Sequence, residues 1–600
     1  MGATDAKDSS LRPPSNGSLK DSTTTIARSG SPSLMDKETA VEKEAEVHHP
    51  AVPDPHSLKD EVQNAVEEAK EQDSGDNQEE DTYDYPKSWK LGLITIALCL
   101  SVFCMALDNT IIAVAIPKIT DQFHALDDVG WYGSAYLLTT CAFQLMYGKL
   151  YTFYSIKWIY LVALFVFELG SFICGIAPTS EALIVGRAIA GLGSAGIFSG
   201  AILIVAHTVP LVQRPSYTGL IGAMYGIASV AGPLMGGAFT DRLTWRWCFY
   251  INLPFGLVTG IFIIFFFTAP KHEKAAKMSW REKLSQMDFL GTVMFMPGVI
   301  CLLLALQWGG SKYPWGNARI IVLFVLFGLL MMAFIGIQIW KQEGATVPPR
   351  VFKNRNVWAS ALFGACLGAA FFILVFYLPI WFQAIKGVSA VKSGIMSLPM
   401  ILGLVVVSLI AGGTVTLLGY YTPFMLASSV LMAIGAGLLS TFKPDTGHAK
   451  WIGYQFIFGA GVGCGMQQTL IAIQTALPLA DVPVGTAVMM MAQTLGGALF
   501  ISVGQNVFAN QLIKNLATQI PNFPGITGIV QSTGATELNG AITKQFPQYL
   551  SRVLLAYNDA VAQTFYVSVA MSALSIFGAV MVEWKSVKGD KKASPAVAVA

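Results

Sequence analysis

The 600-residue sequence is poor in charge: Asp, Glu, Lys and Arg together make up 13% of it, whereas soluble domains carry roughly a quarter. Hydrophobic residues make up 53%. The formal net charge is +2, which gives no indication of a nucleic-acid partner. This composition excludes an ordinary soluble domain and predicts a membrane protein.

Residue patterns that carry chemistry are also missing. The eight cysteines show no C-x-x-C pair or ligand spacing, so neither a disulfide framework nor a metal site is expected. The seven histidines form no set that could serve a metal or a nucleophile. No G-x-x-x-x-G-K-[ST] loop is present, which argues against an ATP-driven pump. No catalytic residue and no cofactor are therefore predicted.

The first 87 residues differ from the rest of the chain. They are rich in Ser, Thr, Asp, Glu, Lys and Pro and have almost no aromatic residues. Such a segment cannot bury enough apolar surface to offset its ordering entropy, so an acidic, disordered tail is expected. No apolar stretch of a cleavable signal peptide follows Met1. The first apolar run, near Trp89, is expected to act as the membrane signal.

From Leu91 onward, apolar runs of about 20 residues recur, each long enough to cross a bilayer as a helix. Lipid offers no hydrogen-bonding partner to the backbone, so an all-α polytopic fold follows. About fourteen spans are predicted, which places both termini on one side. Their centres lie near residues 103, 138, 166, 193, 228, 258, 298, 330, 370, 402, 431, 464, 495 and 572.

Basic residues indicate which side is cytoplasmic. Three clusters share the side of the N-terminus, and a modest excess of Lys and Arg is typical of cytoplasmic loops. Both termini are therefore expected to be cytoplasmic. One long connection, 510–560, is expected to form an external flap. The clusters are Lys271, Lys274, Lys277, Arg281 and Lys283; Lys341, Arg350, Lys353 and Arg355; and Lys585, Lys588, Lys591 and Lys592.

Four ionisable residues lie at membrane depth, where each costs about 2.5–3.5 kcal/mol on insertion scales. Asp108, beside Asn109 and Thr110, is interpreted as a protonatable group that faces a cavity, with a structural ion pair as the alternative. Glu168 has apolar neighbours on every face, which suits a proton carrier or a hydrogen-bonded structural acid. Arg187 is interpreted as an anchor or a partner for a carboxylate, and no single acid can be assigned to it. Asp241 lies at the end of its span.

Glycines on the fourth and fifth spans give a second signal. Small residues four apart let helices approach closely, and a proline inside a helix can bend it. The pattern is interpreted as a tight, bendable seam between two helices. The fourth span contributes Gly191, Gly193 and Gly196, and the fifth contributes Gly222, Gly226, Gly232, Pro233, Gly236 and Gly237.

Neutral polar residues at depth are candidates to line a substrate cavity. A wide cavity with aromatic walls and few charges would suit bulky, largely apolar organic compounds. The alternative, that the aromatic residues face lipid or the interfaces, stays open. The polar candidates are Asn109, Gln144, Asn252, Gln467, Gln468 and Gln493.

Five motifs in this order resemble the major facilitator superfamily, specifically its fourteen-helix drug:proton antiporter branch and the fungal toxin-efflux type. The resemblance covers about residues 88–585. Arg187 matches an Arg that the family links to proton transfer, and Gly226 to Gly237 match the antiporter motif. The motifs are Leu107–Pro117, Gly148-Lys149-Leu150-Tyr151, Gly186–Gly193, Gly226–Gly237 and Trp245–Pro254.

The resemblance implies two six-helix bundles, 88–268 and 355–585, with a basic linker and two inserted helices in 269–354 and a cytoplasmic tail at 586–600. One departure concerns the loop motif. The family usually has an Asp after Gly-Lys-Leu-Tyr, and this chain has Thr152. The charge latch that the family assigns to this motif is therefore not expected in its usual form, although Lys149 can still contact lipid headgroups or the other bundle.

The leading functional hypothesis is a proton-coupled exporter of small organic compounds that works as a monomer in the bilayer. The plasma membrane is the first expectation, and a vacuolar or vesicle membrane is the alternative. Within transport, uptake or a siderophore or metabolite carrier on the same fold remains open. A non-transporting receptor or a membrane-embedded enzyme is the remote alternative.

Overall fold

The computed structural model describes residues 88–123, 129–269, 287–310, 313–521 and 547–588. The tail 1–87, the basic stretch 271–283 and the last residues of the chain lie outside this described part. Its first seven helices are α1 (Ser88–Phe123), α2 (Val129–Phe153), α3 (Ile156–Ile176), α4 (Ser180–Thr208), α5 (Arg214–Arg242), α6 (Trp247–Tyr250) and α7 (Asn252–Phe266).

The next eleven helices are α8 (Phe289–Trp308), α9 (Ala318–Lys341), α10 (Pro349–Lys353), α11 (Arg355–Lys386), α12 (Ala390–Met396), α13 (Leu398–Leu418), α14 (Thr422–Leu439), α15 (His448–Gly465), α16 (Gln468–Ala476), α17 (Val482–Gln519) and α18 (Leu550–Met581). All fourteen predicted centres fall inside helices, so the all-α polytopic fold is confirmed. By length and composition, thirteen helices or helix pairs of the described residues could cross a membrane. The fourteenth predicted span is α2, which is not among these thirteen.

Local sequence signals set many helix ends. Pro occupies the first turn of α5, α10, α13, α14 and α17, where its missing N–H costs nothing. Side-chain oxygens cap α4, α8, α9, α11 and α12 at their N-termini. Gly387 and Gly419 end α11 and α13 with positive φ angles of 63° and 93°. Short turns between long helices then force neighbouring helices to run in opposite directions.

The helices pack as two groups of six spans with an inserted pair between them in sequence. In the first group α3 packs on α4, α1 on α5 and α2 on α4. In the second, α11 packs on α17 and α18, and α15 lies between α13 and α14. The groups meet where α2 contacts α17 and α5 contacts α13. The inserted helices α8 and α9 pack on each other, and α8 reaches α2 and α17.

The face of the bundle at which α1 begins is called the N-terminal face below. Because helix directions alternate, α2 ends on this face, α5, α11 and α17 begin on it, and α18 ends on it. The end of α8 and the beginning of α9 lie on the opposite face.

The glycines of α4 and α5 do not form one seam with each other. A methyl group on Gly193 would meet the backbone of Phe167 in α3, whereas one on Gly226 would meet Val405 in α13 and one on Gly232 would meet Thr110 in α1. The expected close approach exists, but each set of glycines faces different helices. A glycine pattern indicates that another helix packs closely, but it does not identify which helix that is.

The connection expected at 510–560 is narrower in the structure. Helix α17 continues to Gln519 and α18 begins at Leu550. The polar sequence of these helix ends carries no hydropathy signal, although it is helical. Residues 522–546 lie outside the described part of the chain.

Asp288, the N-cap residue of α8, joins the two inserted helices. Its side chain is buried and accepts hydrogen bonds from the Gly291 backbone at 2.9 Å, from Gln338 Nε2 at 2.7 Å and from both the backbone and hydroxyl of Thr346 at 3.0 Å. Lys341 Nζ lies 3.1 Å from the carboxylate. Burial by itself would raise the pKa of Asp288, but these interactions outweigh it, and the pKa lies below its usual value of 3.8.

Replacing Asp288 by Ala is expected to lower the free energy of unfolding by about 1–3 kcal/mol, because the helix loses its cap and buried donors lose their acceptor. Asn, which keeps one acceptor oxygen, should fall between Ala and the wild type. Thermal unfolding of the purified variants measures this order. Asp445→Ala, in an exposed loop, is the control.

The same site predicts a pH dependence. A carboxylate whose pKa is depressed in the folded state stabilises the protein above its unfolded pKa and stops doing so as the pH falls. The stability advantage of the wild type over Asp288→Ala should therefore be full at neutral pH and shrink as the pH falls below about 4. An advantage that stays constant down to acid pH would contradict this assignment.

Candidate functional site

Asp108 of α1 and Arg187 of α4 form an ion pair inside the first bundle. Nη1 of Arg187 donates to Oδ2 of Asp108, and both side chains have 0% exposure. Nε of Arg187 also donates to the backbone carbonyl of Tyr132 in α2 at 2.8 Å. Removing one partner from such a buried pair typically costs 3–5 kcal/mol. This ion pair therefore connects α1, α2 and α4, and its contribution to stability depends on both charges.

The pair is completed by neutral groups from two more helices. Asn252, the first residue of α7, donates from Nδ2 to Asp108 Oδ1 at 3.1 Å and to Ser171 Oγ of α3 at 3.2 Å. The guanidinium carbon of Arg187 lies 4.5 Å from the ring centroid of Tyr136, a cation–π contact. Neither Ser171 nor Tyr136 stands out in the sequence, because hydroxyl and aromatic residues are common in all the spans.

Glu168 of α3 is not hydrogen-bonded to either member of this pair. Both of its carboxylate oxygens are buried and have no hydrogen-bond partner among the described residues. The carboxylate packs against Gly256 of α7, where an added methyl group would collide with it. Burying a charge without a partner is expensive. The structure therefore separates two kinds of buried carboxylate: Asp108, which is paired, and Glu168, which is not.

The two bundles are packed tightly at the N-terminal face. A methyl group on Gly148 of α2 would lie 2.7 Å from Cβ of Ala487 in α17. Ser216 of α5 and Thr416 of α13 share a hydrogen bond of 2.8 Å. Residues 482–490 of α17 are all buried, whereas residues 491–495 are half-buried. Where α2 meets α17 the packing thus becomes looser beyond Met490, whereas α5 still meets α12 on the opposite face.

The predicted cavity residues divide between these two regions. Asn109 and Gln493 are half-buried, on the looser side. Gln144 is 3% exposed and donates to the Ala195 carbonyl at 3.1 Å, with Met490 Sδ of the other bundle 3.9 Å away. Gln467 is also buried, and its side chain meets Gly222 of α5 across the interface between the bundles.

The remaining polar candidates are buried. Gln468 is 1% exposed and begins α16, just after the break that separates α15 from α16. Its Oε1 atom has no hydrogen-bond partner in the described part of the chain. Asn252 belongs to the Asp108 cluster.

Three residues of the predicted antiporter motif each contact a different helix: Gly226 faces α13, Gly232 faces α1 and Pro233 faces α12. Gly232 meets Thr110 and Ile111 of α1, and Thr110 Oγ1 also donates to the Ala228 carbonyl at 3.1 Å. Pro233 lies 3.0 Å from the position of a Cβ on Gly394 in α12, so this helix also contacts the second bundle on the opposite face. Gly236 and Gly237 are buried near the end of α5, and the side chain of Asp241 falls outside the described set.

A charge network lies where the usual loop-motif latch is missing. Lys149 is 4% exposed and its Nζ lies 3.4 Å from the Glu343 carbonyl, in the turn after α9. Arg350 donates to Glu343 at 3.1 and 3.2 Å and to Asp481, just before α17, at 2.6 and 3.1 Å. These hydrogen bonds, from Asp481 above all, raise the pKa of Arg350. Sequence reasoning missed this network, because Lys149 lies 194 residues from Glu343 and Arg350 lies 131 residues from Asp481.

Comparison with known proteins identifies the family. The Major Facilitator Superfamily matches residues 98–501. The chain belongs to this superfamily. The resemblance predicted from the five motifs is thereby confirmed, as is the expected major-facilitator fold.

Curated relatives of this major facilitator protein are fungal and span nearly the same length. It is 58% identical over 516 residues to the MFS-type transporter astH of Aspergillus oryzae, which covers 86% of this chain and 90% of the relative. It is 59% identical over 518 residues to the MFS-type efflux pump MFS1 of Arthroderma benhamiae, with coverages of 86% and 96%. The efflux pump roqT of Penicillium rubens is 57% identical, with coverages of 85% and 93%.

A solved structure supports the fold independently of close sequence similarity. The proton:xylose symporter XylE, with a bound bromodeoxyglucose, matches with a TM-score of 0.54 over 84% of this chain and 98% of its own. At 13% sequence identity this match shows the fold alone. The two chains therefore share the same overall fold.

Proposed function

We propose that this protein is a proton-coupled exporter of small, largely apolar organic compounds, which it moves by alternating access. The observation that carries the proposal is the buried Asp108–Arg187 pair, a titratable group held at membrane depth inside the transport scaffold. Relatives with more than half of their residues identical and named as efflux pumps support export.

Coupling follows from the charge balance of the pair. Protonation of Asp108 would remove its negative charge and leave Arg187 buried without a counter-ion. Because this arrangement is costly, α1, α2 and α4 would favour another packing that admits water or a new partner to Arg187. Protonation on one side of the membrane and deprotonation on the other would then bias the protein between two states.

The tight packing at the N-terminal face and the looser packing beyond Met490 indicate which side of the bundle is closed in this structure. If the N-terminal face is cytoplasmic, the structure corresponds to a state closed to the cytoplasm and more open to the outside. Asn109 and Gln493 would line the open region, and rocking of the bundles would uncover Gln144, Gln467 and Gln468. In both states the substrate would then contact amide side chains without charge, which suits a largely apolar compound.

The chain would be organised as two six-helix bundles, 88–268 and 355–585, with the inserted helices in 269–354. A transport path inside a single chain needs no second copy, so a monomer is sufficient. A plasma membrane location fits export from the cell, and a vacuolar or vesicle membrane would serve sequestration by the same mechanism.

Purified protein in proteoliposomes tests the function. An imposed pH gradient should drive accumulation of a neutral fluorescent amphiphile such as Nile red, without ATP, and a protonophore should collapse it. Accumulation that does not depend on the pH gradient would contradict the antiport proposal. Movement of dye and protons in the same direction would indicate a symporter and uptake.

Replacing Glu168 by Gln should have little effect on proton-driven transport. Both oxygens of Glu168 lack hydrogen-bond partners among the described residues, so an amide of the same shape breaks no hydrogen bond there and cannot become a buried, unpaired charge. The unfolding midpoint should stay the same or rise. Loss of coupling in Glu168→Gln, with the fold intact, would move the coupling role from Asp108 to Glu168.

A further inference from the structure

A cavity of about 310 Å³ lies between the inserted helix pair and α17. Five of its lining residues are on α17 and recur at a spacing of three or four, so they share one face of the helix. Pockets that hold small molecules start at about this size. The α17 residues are Val503, Asn506, Val507, Asn510 and Gln511.

This face of α17 combines apolar and carboxamide groups without any charge. Asn510 is exposed and Gln511 is half-buried, and both line the cavity, where a carboxamide offers a donor and an acceptor. Asn506 donates to the Ser502 carbonyl at 2.9 Å, which leaves its oxygen directed at the turn after α8. Val503 and Val507 supply the apolar part. A neutral ligand with apolar surface and polar oxygen or nitrogen atoms matches this composition.

The wall opposite α17 comes from the inserted pair and is held in place. Gly310 has a φ of +75° and packs directly against the Asn506 side chain, so a larger residue there would clash. Trp315, which lines the cavity, stacks on Phe324 of α9 at 6.3 Å between ring centroids. Leu306 of α8 completes this wall.

The inserted pair also reaches the first bundle at this level. Gln307 Nε2 donates to Ser134 Oγ of α2 at 2.9 Å, and Trp308 packs edge-on against Trp131 at 6.3 Å. At the N-terminal face α2 and α17 touch directly. On the opposite face the turn of the inserted pair bridges the same two helices, so the cavity lies in the wall between the bundles.

The depth of the cavity is set by the length of α17. Its 38 residues span about 57 Å, well beyond a hydrocarbon core of about 30 Å. Val503 follows Val482 by about 32 Å along the helix axis, so for a helix that enters the hydrocarbon core at its first residue the lining begins at the far membrane interface. Amphiphilic molecules concentrate at this depth, with apolar parts toward the lipid and polar atoms toward water.

We propose that this cavity is a second binding site, where a neutral amphiphile of the exported class is held as it leaves the bundles. This assignment rests on the proposed export function for the identity of the occupant. The inserted pair thereby contributes directly to substrate handling, and the carboxamides of α17 select neutral compounds over ions.

Photolabelling tests the site on the full-length protein in lipid nanodiscs. The probe is a diazirine derivative of Nile red, and the adducts are located by peptide mass spectrometry. Adducts are expected on α17 between residues 503 and 511 and at Trp315, and excess unlabelled Nile red should suppress them. Val507→Trp, which fills the cavity, should remove this labelling. Ile513→Trp, on the same helix but outside the lining, should not.

Several results would overturn the assignment. The first is that a phospholipid diazirine labels the same residues to the same extent and that unlabelled Nile red does not suppress the adducts. The second is that a permanently charged analogue competes as well as Nile red does. The third is that labelling survives in Val507→Trp. Gradient-driven transport of Nile red, measured on the same preparations, separates the two proposals. Transport without competed labelling rejects the site alone, and competed labelling without transport rejects the export function alone.

Discussion

Asp108→Asn is expected to abolish gradient-driven accumulation of substrate and to lower the stability of the protein. Asn cannot exchange a proton in the way a carboxylate does, and it leaves the Arg187 guanidinium fully buried without a counter-ion. Breaking one side of such a pair costs about 3–5 kcal/mol. Accumulation in vesicles and thermal unfolding of the purified protein measure the two effects.

A double variant separates the loss of function from the loss of fold. In Asp108→Asn with Arg187→Gln both charges are gone, and neutral replacements for a buried pair are often close to neutral in stability. The double variant should regain most of the unfolding midpoint and still fail to accumulate substrate. If transport returned together with stability, the pair would be structural only.

Gly148→Leu should stop the transport cycle with the N-terminal face held open. Even a methyl group at this position would lie 2.7 Å from Ala487 Cβ and 3.3 Å from the Pro483 carbonyl. Contacts this short force a shift, so a larger side chain prevents α2 and α17 from meeting. A cysteine placed at Met490, now 9% exposed, should become reactive to a membrane-impermeant thiol reagent from that face.

Two further variants test whether the effect is local. Gly133 is on the same helix, and no described atom lies within 4 Å of its Cβ position, so the Gly133→Leu variant should transport normally. Gly148→Ala should be impaired, and adding Ala487→Gly should restore it because the colliding methyl group is removed. Absence of rescue, with all variants folded, would show that closure of α2 on α17 is not required.

Hydrophobicity made the membrane-spanning helices predictable. Each span must satisfy its backbone internally, so its length and apolar content are visible in the sequence. The free-energy cost of a charge at membrane depth is also why Asp108 and Arg187 stood out in the sequence. For α2 the pattern is weaker because Gln144 and Lys149 face other helices there.

Contacts between distant segments could not be predicted. Asp108 and Arg187 are 79 residues apart, and a sequence alone does not state which acid an arginine meets. Arg350 and Asp481 are separated by 131 residues, so their ion pair was invisible as well. Asn510 and Gln511 of the carboxamide face were expected in the 510–560 connection, because the end of α17 carries little hydrophobic contrast.

The most direct test of the central claim is uptake of Nile red into sealed inside-out vesicles with an imposed proton gradient, with the wild type and Asp108→Asn compared side by side. Proton coupling through this pair predicts uptake by the wild type that a protonophore collapses, and no gradient-driven uptake by Asp108→Asn. Wild-type uptake that survives the protonophore, or gradient-driven uptake by a folded Asp108→Asn protein, would contradict proton coupling through the Asp108–Arg187 pair.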